Sequence, residues 1–528
     1  MHRSHQLVSM RGGSTHPRPP PAMEIPELVE LVLSKLARPV DLLSMACTAH
    51  RYADVALKLL WEHPDFKGDP LRNMASLFPN GIKDQLLKDI PVRPSAPDTH
   101  QGSQSQPQDL SLRVPSSLFT RFDYYAKFVR HLQVWQFRPD KYIANVLDAS
   151  RPAVTLFPNL ESIHLGADSN SLEMAGPYLS STLRTVRVNH WDPETSTIVH
   201  STAGITATLI KMFTLPDLQC LDLLDTRLPR YEHNQDVMDR LLHLIPRLVE
   251  FYSCDLTTFR PIFDALAQSN HLNAIFLDLA ATYQDHYKFA EIVQFLRDAF
   301  LPLQSLVVHC AGEIARDFVE QASRALESFD FRIDGPLDVD ELTKLTTSLK
   351  ASEPTLRVLK CSTSLRAPSG AKDSLYQALT PLLQMSRLQK LVVSLTVLGS
   401  SMFRDDEVEG IFQCWPNLCV FTLECDPEEG TPIGVDDPKG FGLSLLSLFT
   451  IRRCCPDLYE LSLPYLDTAD IPLLEDVMFS VSALPFEIHL SRCHAHNRKE
   501  VREFICAIWS KAESSFEDCM CPELVDDR

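Results

Sequence analysis

A chain of 528 residues can bury a large core, either as one long repeat array or as several compact domains. Its 45% hydrophobic content is that of a globular protein, and its net charge of −19 argues against general binding to nucleic acid or anionic membranes. No apolar run reaches the ~18 residues of a membrane-spanning helix, no secretory h-region opens the chain, and the 14 cysteines follow no disulfide spacing, so reduced thiols in the cytoplasm and/or nucleus are expected.

Residues 1–22 are proline-bearing and acid-free and read as a disordered tail. Residues 23–65 hold three helical runs. In the first, Leu28, Leu31, Val32 and Leu36 are spaced to share one helical face, and Pro26 suits a first turn because its missing N–H would be unpaired there anyway. Pro39 blocks continuation and Asp41 can cap the second run, which carries Leu42, Leu43 and Cys47. The third carries Val55, Ala56, Leu59 and Leu60 up to Trp61. Three short helices have more apolar positions than they can hide among themselves, so a partner is expected.

This pattern resembles an F-box. The resemblance rests on Ile25-Pro26-Glu27-Leu28, Leu31 and Leu36, Asp41-Leu42-Leu43, Cys47 and Leu60-Trp61. It departs after Cys47, where Thr48 and Ala49 precede His50, Arg51 and Tyr52 in place of an immediate basic and aromatic run. The resemblance implies docking on a Skp-type adaptor, and through it on a cullin–RING ubiquitin ligase, by Ile25, Pro26, Leu28, Leu31, Leu36, Leu42, Leu43, Cys47 and Trp61.

Over residues 66–90, Leu71, Met74 and Leu77 mark one more helix, with Pro79-Asn80-Gly81 as a turn. Residues 91–107 are rich in Pro, Ser, Gln and Gly, so 66–118 is read as a helix plus a flexible linker. From Phe119, the stretch Arg121-Phe122-Asp123-Tyr124-Tyr125 through Leu132 is similar to a passage in a large fungal group of F-box proteins, where it leads into leucine-rich units.

A Leu-x-x-apolar-x-apolar strand then recurs, led by Leu132, Leu160, Leu183, Leu218, Leu248, Leu272, Leu303, Leu326, Leu356, Leu388, Leu418 and Leu458. The spacing centres on the period of leucine-rich repeats. The stricter Pro-x-Leu opening, expected about once by chance, occurs at Pro158, Pro216, Pro246, Pro354, Pro416 and Pro456. One copy breaks the pattern, with Ser253 where an apolar residue belongs. Return helices are expected over residues 236–244, 258–268, 290–301 and 339–349. The fold class is therefore an α/β solenoid, its leucine-rich-repeat domain spanning residues 119–495. The resemblance implies a right-handed, ribonuclease-inhibitor-like array behind a three-helix F-box. Residues 496–528 are read as a capping helix over 498–511 and an acidic tail from Ser514.

Signatures of catalysis are missing. There is no Gly-x-Gly-x-x-Gly, no phosphate loop, no Gly-x-Ser-x-Gly elbow and no His-Glu-x-x-His. Cys493, His494 and His496 are bunched too closely for a tetrahedral metal set, and Cys519 and Cys521 lack companions. Cys414, Cys419 and Cys425 read as small apolar fillers, and the acidic run at Asp405, Asp406 and Glu407 as a solvated face. No enzyme activity, cofactor or metal is expected.

The two-residue strand period assigns a row of side chains to the inner face of the repeats, with Arg138, Arg187, Asp222, Tyr252, Phe276, His309, Arg332, Lys360 and Glu424 as target contacts. Charges of both signs with Arg and aromatic anchors suit protein recognition. The order of box, linker and repeats points to a non-catalytic substrate-recognition subunit of a Skp–cullin–F-box ligase. A leucine-rich interaction scaffold or a GTPase regulator unconnected with ubiquitination stays open beside it.

Overall fold

The computed structural model describes residues 26–34, 39–48, 50–62, 70–88, 113–134, 138–151, 154–166, 172, 175–189, 203–224, 234–253, 259–279, 303–311, 315, 319, 326–366, 375–398, 405–425, 443–463, 466, 468, 471–472, 486–490, 498–509 and 512–515. It divides into two compact units, one of residues 1–165 and 170–183, the other of residues 166–169 and 184–528. The expected helix over 290–301 and the Cys493, His494, His496, Cys519 and Cys521 thiols and imidazoles lie outside the described residues.

The first unit opens with α1 (Pro26–Leu33), α2 (Pro39–Thr48) and α3 (His50–Glu62). Val29, Leu33, Leu42, Tyr52 and Ala56 form their common core, with Met45, Val55, Leu59 and Leu60 packed against it. Next come α4 (Pro70–Ala75) and α5 (Asn80–Lys88). The sequence reading put a turn at Pro79-Asn80-Gly81. Instead the turn ends at Pro79, whose carbonyl accepts from the amides of Ile82 and Lys83, so Asn80 and Gly81 form the first turn of a second helix.

Helix α6 (Phe119–Ala126) joins the N-terminal helices to the first strand. Trp61 of α3 packs on the Tyr125 ring at 5.1 Å, the Tyr124 hydroxyl donates to Asp54, and the Arg130 amide donates to the Glu62 carbonyl at 3.2 Å. Strand β1 (His131–Val134) pairs in parallel with β2 (Ser162–Gly166), and α7 (Arg138–Ser150) lies between them in sequence.

This pairing corrects the first repeat. Leu132 sits opposite Ile163, which is three residues past its own leading Leu160. The leading residue is therefore Val129, fully buried, and the strand reads Val129-x-x-Leu132-x-Val134. The frame taken from Leu132 is three residues late. Arg138, expected on the inner face, is instead the first residue of helix α7.

The second unit runs from β3 (Thr185–Asn189) through β4 (Cys220–Leu223), β5 (Glu250–Ser253), β6 (Ala274–Asp278), β7 (Ser305–Ala311), β8 (Ser328–Leu337), β9 (Val358–Arg366), β10 (Lys390–Leu398), β11 (Val420–Cys425), β12 (Glu460–Leu463) and β13 (Phe486–Leu490) to β14 (Ala512–Ser515). Each strand pairs in parallel with the next in sequence. Sequential parallel strands with intervening helices make this unit an α/β solenoid, in which each repeat closes its core only against its neighbours. Strand β14 extends the ladder through Ser514 and Ser515, where the sequence reading placed a loose tail.

Helices return the chain between strands: α8 (Ala203–Phe213), α9 (Gln235–Leu244), α10 (Arg260–Ala267), α11 (Val339–Ser348), α12 (Leu375–Leu379), α13 (Asp405–Phe412) and α14 (Leu445–Cys454), with α15 (Arg498–Ile508) before β14. Their starts are written in the sequence. Asn234 caps α9 through the Val237 amide, and Asp338 and Glu341 form a reciprocal capping box on α11. Asp405, expected on a solvated acidic face, instead accepts from the Ser444 amide, the Ser444 hydroxyl and the Ser447 hydroxyl, tying the start of α13 to that of α14.

The residue after each leading leucine supplies the contact that fixes register. The carbonyl of Gln219 accepts from the amides of Val249 and Glu250, that of Val249 from Asn273 and Ala274, that of Asn273 from Gln304 and Ser305, and so on through Glu327, Arg357, Gln389 and Cys419. At four repeats the residue before the leading leucine adds a side-chain rung. Asn159 donates to the Lys127 carbonyl, Arg247 to that of Pro216, Arg387 to that of Pro354 and Asn417 to that of Ser386. Trp415, fully buried, donates through Nε1 to the Leu382 carbonyl.

Trp415→Ala should lower stability by about 3–5 kcal/mol through the cavity and the orphaned Leu382 carbonyl, and Asn417→Ala by about 1 kcal/mol. Urea unfolding of the two variants beside the parent measures both.

Candidate functional site

Two surfaces gather the candidate site residues. The first is on the N-terminal helices. Leu31 (56% exposed) and Val32 (48%) on α1, and Leu43 (51%) on α2, point to solvent, while Val29 and Leu33 fill the unit's own core. Cys47 is also exposed. Leu42, expected to meet the adaptor, is 8% exposed and belongs to the core of the three helices. Trp61 packs within the unit against the tilted ring of Tyr125. Pro26 and Leu28 lie within α1. Ile25 and Leu36 lie outside the described residues.

The second surface is the open face of the solenoid sheet. Along each strand the leucine-type positions are buried, and the alternate positions form rows set by the register. One row reads Arg187, Asp222 and Tyr252 on β3–β5. It is matched on β6–β12 by Phe276, Val307, Asp330, Lys360, Val392, Thr422 and Ser462. A second row, two residues on, reads Asp278, His309, Arg332, Ser362, Ser394 and Glu424 on β6–β11.

On β3–β5, Cys220 donates to Glu250 at 3.2 Å. Burial, and then the charge of Glu250, pushes the Cys220 thiol up to about 12. Burial likewise pushes the Tyr252 hydroxyl up. The Nε of Arg187 is buried without a hydrogen-bond partner among the described residues. Burial raises Cys310, Cys361 and Cys455 to about 12 as well. Thiols held this way are un-ionised at neutral pH and are not nucleophiles.

On β6–β8, His309 bridges two carboxylates. Its Nδ1 lies 3.2 Å from Asp278 and its Nε2 2.8 Å from Asp334. These hydrogen bonds, Asp278 foremost, raise His309 to about 9 against the opposing effect of burial. Asp278 outweighs the closer Asp334 because it is 13% exposed and Asp334 is 60% exposed, so water screens the latter. The imidazolium is thus the form present at neutral pH. Beside it, the Arg332 guanidinium lies 5.8 Å over the Phe276 ring and 3.9 Å from Asp330. Phe276, expected as a direct target contact, is 1% exposed and acts as the platform under Arg332. Glu424 accepts from the Ser394 hydroxyl at 2.6 Å.

Sequence reasoning missed Lys390 and Asp334. Lys390 precedes the first buried residue of its strand, and Asp334 belongs to the irregular end of β8, so neither falls at the positions the repeat pattern samples. Among the described residues no group of three or more His, Cys, Asp or Glu is arranged to hold a metal ion, and no helix is long and apolar enough to cross a membrane.

No family model matches the chain, and no curated protein matches it. Among solved structures it is similar to the leucine-rich repeat-containing protein LegL7 from Legionella pneumophila, with 13% identity, 52% of this chain and 86% of that chain covered, and a TM-score of 0.33. It is also similar to a chain of the Rad7 and Elc1 complex in yeast, with 12% identity, 58% and 79% covered, and a TM-score of 0.31.

Because the folded value of His309 lies above its unfolded value of about 6.5, its ion pairs contribute fully below about pH 6.5 and are lost as pH rises through about 9. At 29% side-chain exposure the expected loss over that window is roughly 1–2 kcal/mol. Urea midpoints across the window should fall for the parent and stay flatter for His309→Gln.

Proposed function

We propose that this chain is a non-catalytic recognition subunit of a Skp–cullin–F-box ubiquitin ligase, its N-terminal helices docking on a Skp-type adaptor and its repeats holding a target protein. One observation carries the reading: Leu31, Val32 and Leu43 are exposed on helices whose own core is already complete. Aliphatic side chains left in water after folding mark a surface for another protein. Covering each of the three adds roughly 1 kcal/mol or more. The F-box pattern over residues 25–61 supplies the identity of that partner.

The open face supports the second half of the reading. It presents Arg332 on an aromatic platform, a fixed His309 imidazolium and the charged ends of Asp334 and Glu424, which suit a protein surface. The chain lends proximity by bringing target and conjugating enzyme together, and supplies no reacting group.

Co-expression with a Skp-type adaptor tests this. The parent should co-purify with the adaptor. Leu31→Glu with Leu43→Glu should abolish capture while leaving the thermal midpoint unchanged, because both side chains are solvent-facing. Equal capture of parent and variant, or no capture of the parent, would retire the assignment.

A further inference from the structure

The chain carries a net charge of −19, yet one part of the open face runs against it. Along β9 and β10 the side chains on that face include Val358, Lys360, Ser362, Lys390, Val392 and Ser394. Two lysines and two hydroxyls stand there without a carboxylate. Arg332 on β8 is in register with Ser362 and is 47% exposed. Arg332, Lys360 and Lys390 thus step diagonally across three successive strands.

The carboxylates nearby are committed or recessed. Asp278 and Asp334 accept from His309, and Glu424 accepts from Ser394. Asp330, 15% exposed and in register with Lys360, makes a 3.9 Å ion pair with Arg332, and the charges of Arg332 and Lys360 both favour its carboxylate form against burial. Arg332, Lys360 and Lys390 make no hydrogen bond to protein groups among the described residues. Phe276 lies below the Arg332 guanidinium, an arrangement that leaves the in-plane N–H donors free. Three cations share this one recessed carboxylate, so the patch keeps a net positive charge and unused donors.

From this geometry we infer that the face over β8–β10 anchors an anionic segment of the target, its carboxylate or phosphoryl oxygens held by Arg332, Lys360 and Lys390. The inference rests on the reading of the repeats as target-binding. Strand spacing and register place Arg332 and Lys390 roughly 16 Å apart, the reach of about five residues of extended chain. Charge-assisted hydrogen bonds from Arg and Lys, supplemented by the Ser362 hydroxyl, match either oxygen source. The surrounding negative field excludes anionic chains elsewhere on the protein and so sharpens the preference for this patch.

Fluorescence anisotropy with the purified full chain and labelled Gly/Ser peptides bearing a run of glutamates, phosphoserines or lysines tests the inference. An anionic peptide should bind, more weakly as salt is added, and the lysine peptide should not. Arg332→Gln or Lys360→Gln should each weaken binding roughly fivefold. Adding Lys390→Gln to both should abolish it with the far-UV circular dichroism spectrum unchanged, and Glu487→Gln should leave it intact. Preference for phosphoserine identifies a phosphoryl source; equal binding shows that carboxylates suffice. Binding of neither anionic peptide, or parental affinity in the triple variant, overturns the inference. No adaptor is present in this assay, so its outcome is independent of adaptor capture through Leu31 and Leu43.

Discussion

The shared carbonyl at the entry of each strand is the constraint on which the solenoid unit depends. One oxygen, on the residue after the leading leucine, receives two amides from the following repeat, and this recurs from Arg184 to Cys419. A strand shifted by one residue would lose both bonds and turn its leucines to solvent. Register is therefore held by backbone, and side chains on the open face are free to vary. The rows containing His309, Arg332 and Lys360 exist because this ladder aligns them; their own interactions contribute far less to the fold than the buried leucines do.

Much of this was legible because the repeat writes its frame in one residue type. The leading leucines from Leu160 to Leu458 gave the strands of the solenoid, and the Pro-x-Leu openings marked their entries. The frame failed where that residue type changes. Val129 leads the first repeat, so the reading locked onto Leu132, an inner strand residue, and carried Arg138 off the strand and into a helix. Ser253 failed in the opposite sense: it breaks the apolar pattern but still occupies the inward position, fully buried. One small polar residue in a long stack is tolerated when the backbone on both sides is held.

The site was less legible than the fold because its contacts are non-local. Asp278, His309 and Asp334 are brought together by three strands, and nothing in their separation along the chain marks them. On the N-terminal helices the difficulty differs. Helix α1 reads Pro-Glu-Leu-Val-Glu-Leu-Val-Leu, apolar nearly all round, and periodicity alone does not say which side is inward. The structure sends Val29 and Leu33 in and Leu31 and Val32 out. Leu42 and Leu43 are neighbours in sequence with opposite fates for the same reason. Trp61 went to the α6 aromatic cluster, a contact that depends on a segment sixty residues away.

Gly335 holds a left-handed backbone, with φ of +89°, where β8 gains extra residues between Ile333 and Pro336 relative to β9. A side chain there would meet nothing, so its cost would be conformational alone. The insertion lets Asp334 stay level with Ala311 of β7 while Pro336 rejoins β9 at Ser364. Strands β8, β9 and β10 run on to 10, 9 and 9 residues, against 4 in β4, β5 and β12. The sheet is deepest there, and that depth gives a visiting polypeptide a ledge along which several consecutive residues can rest.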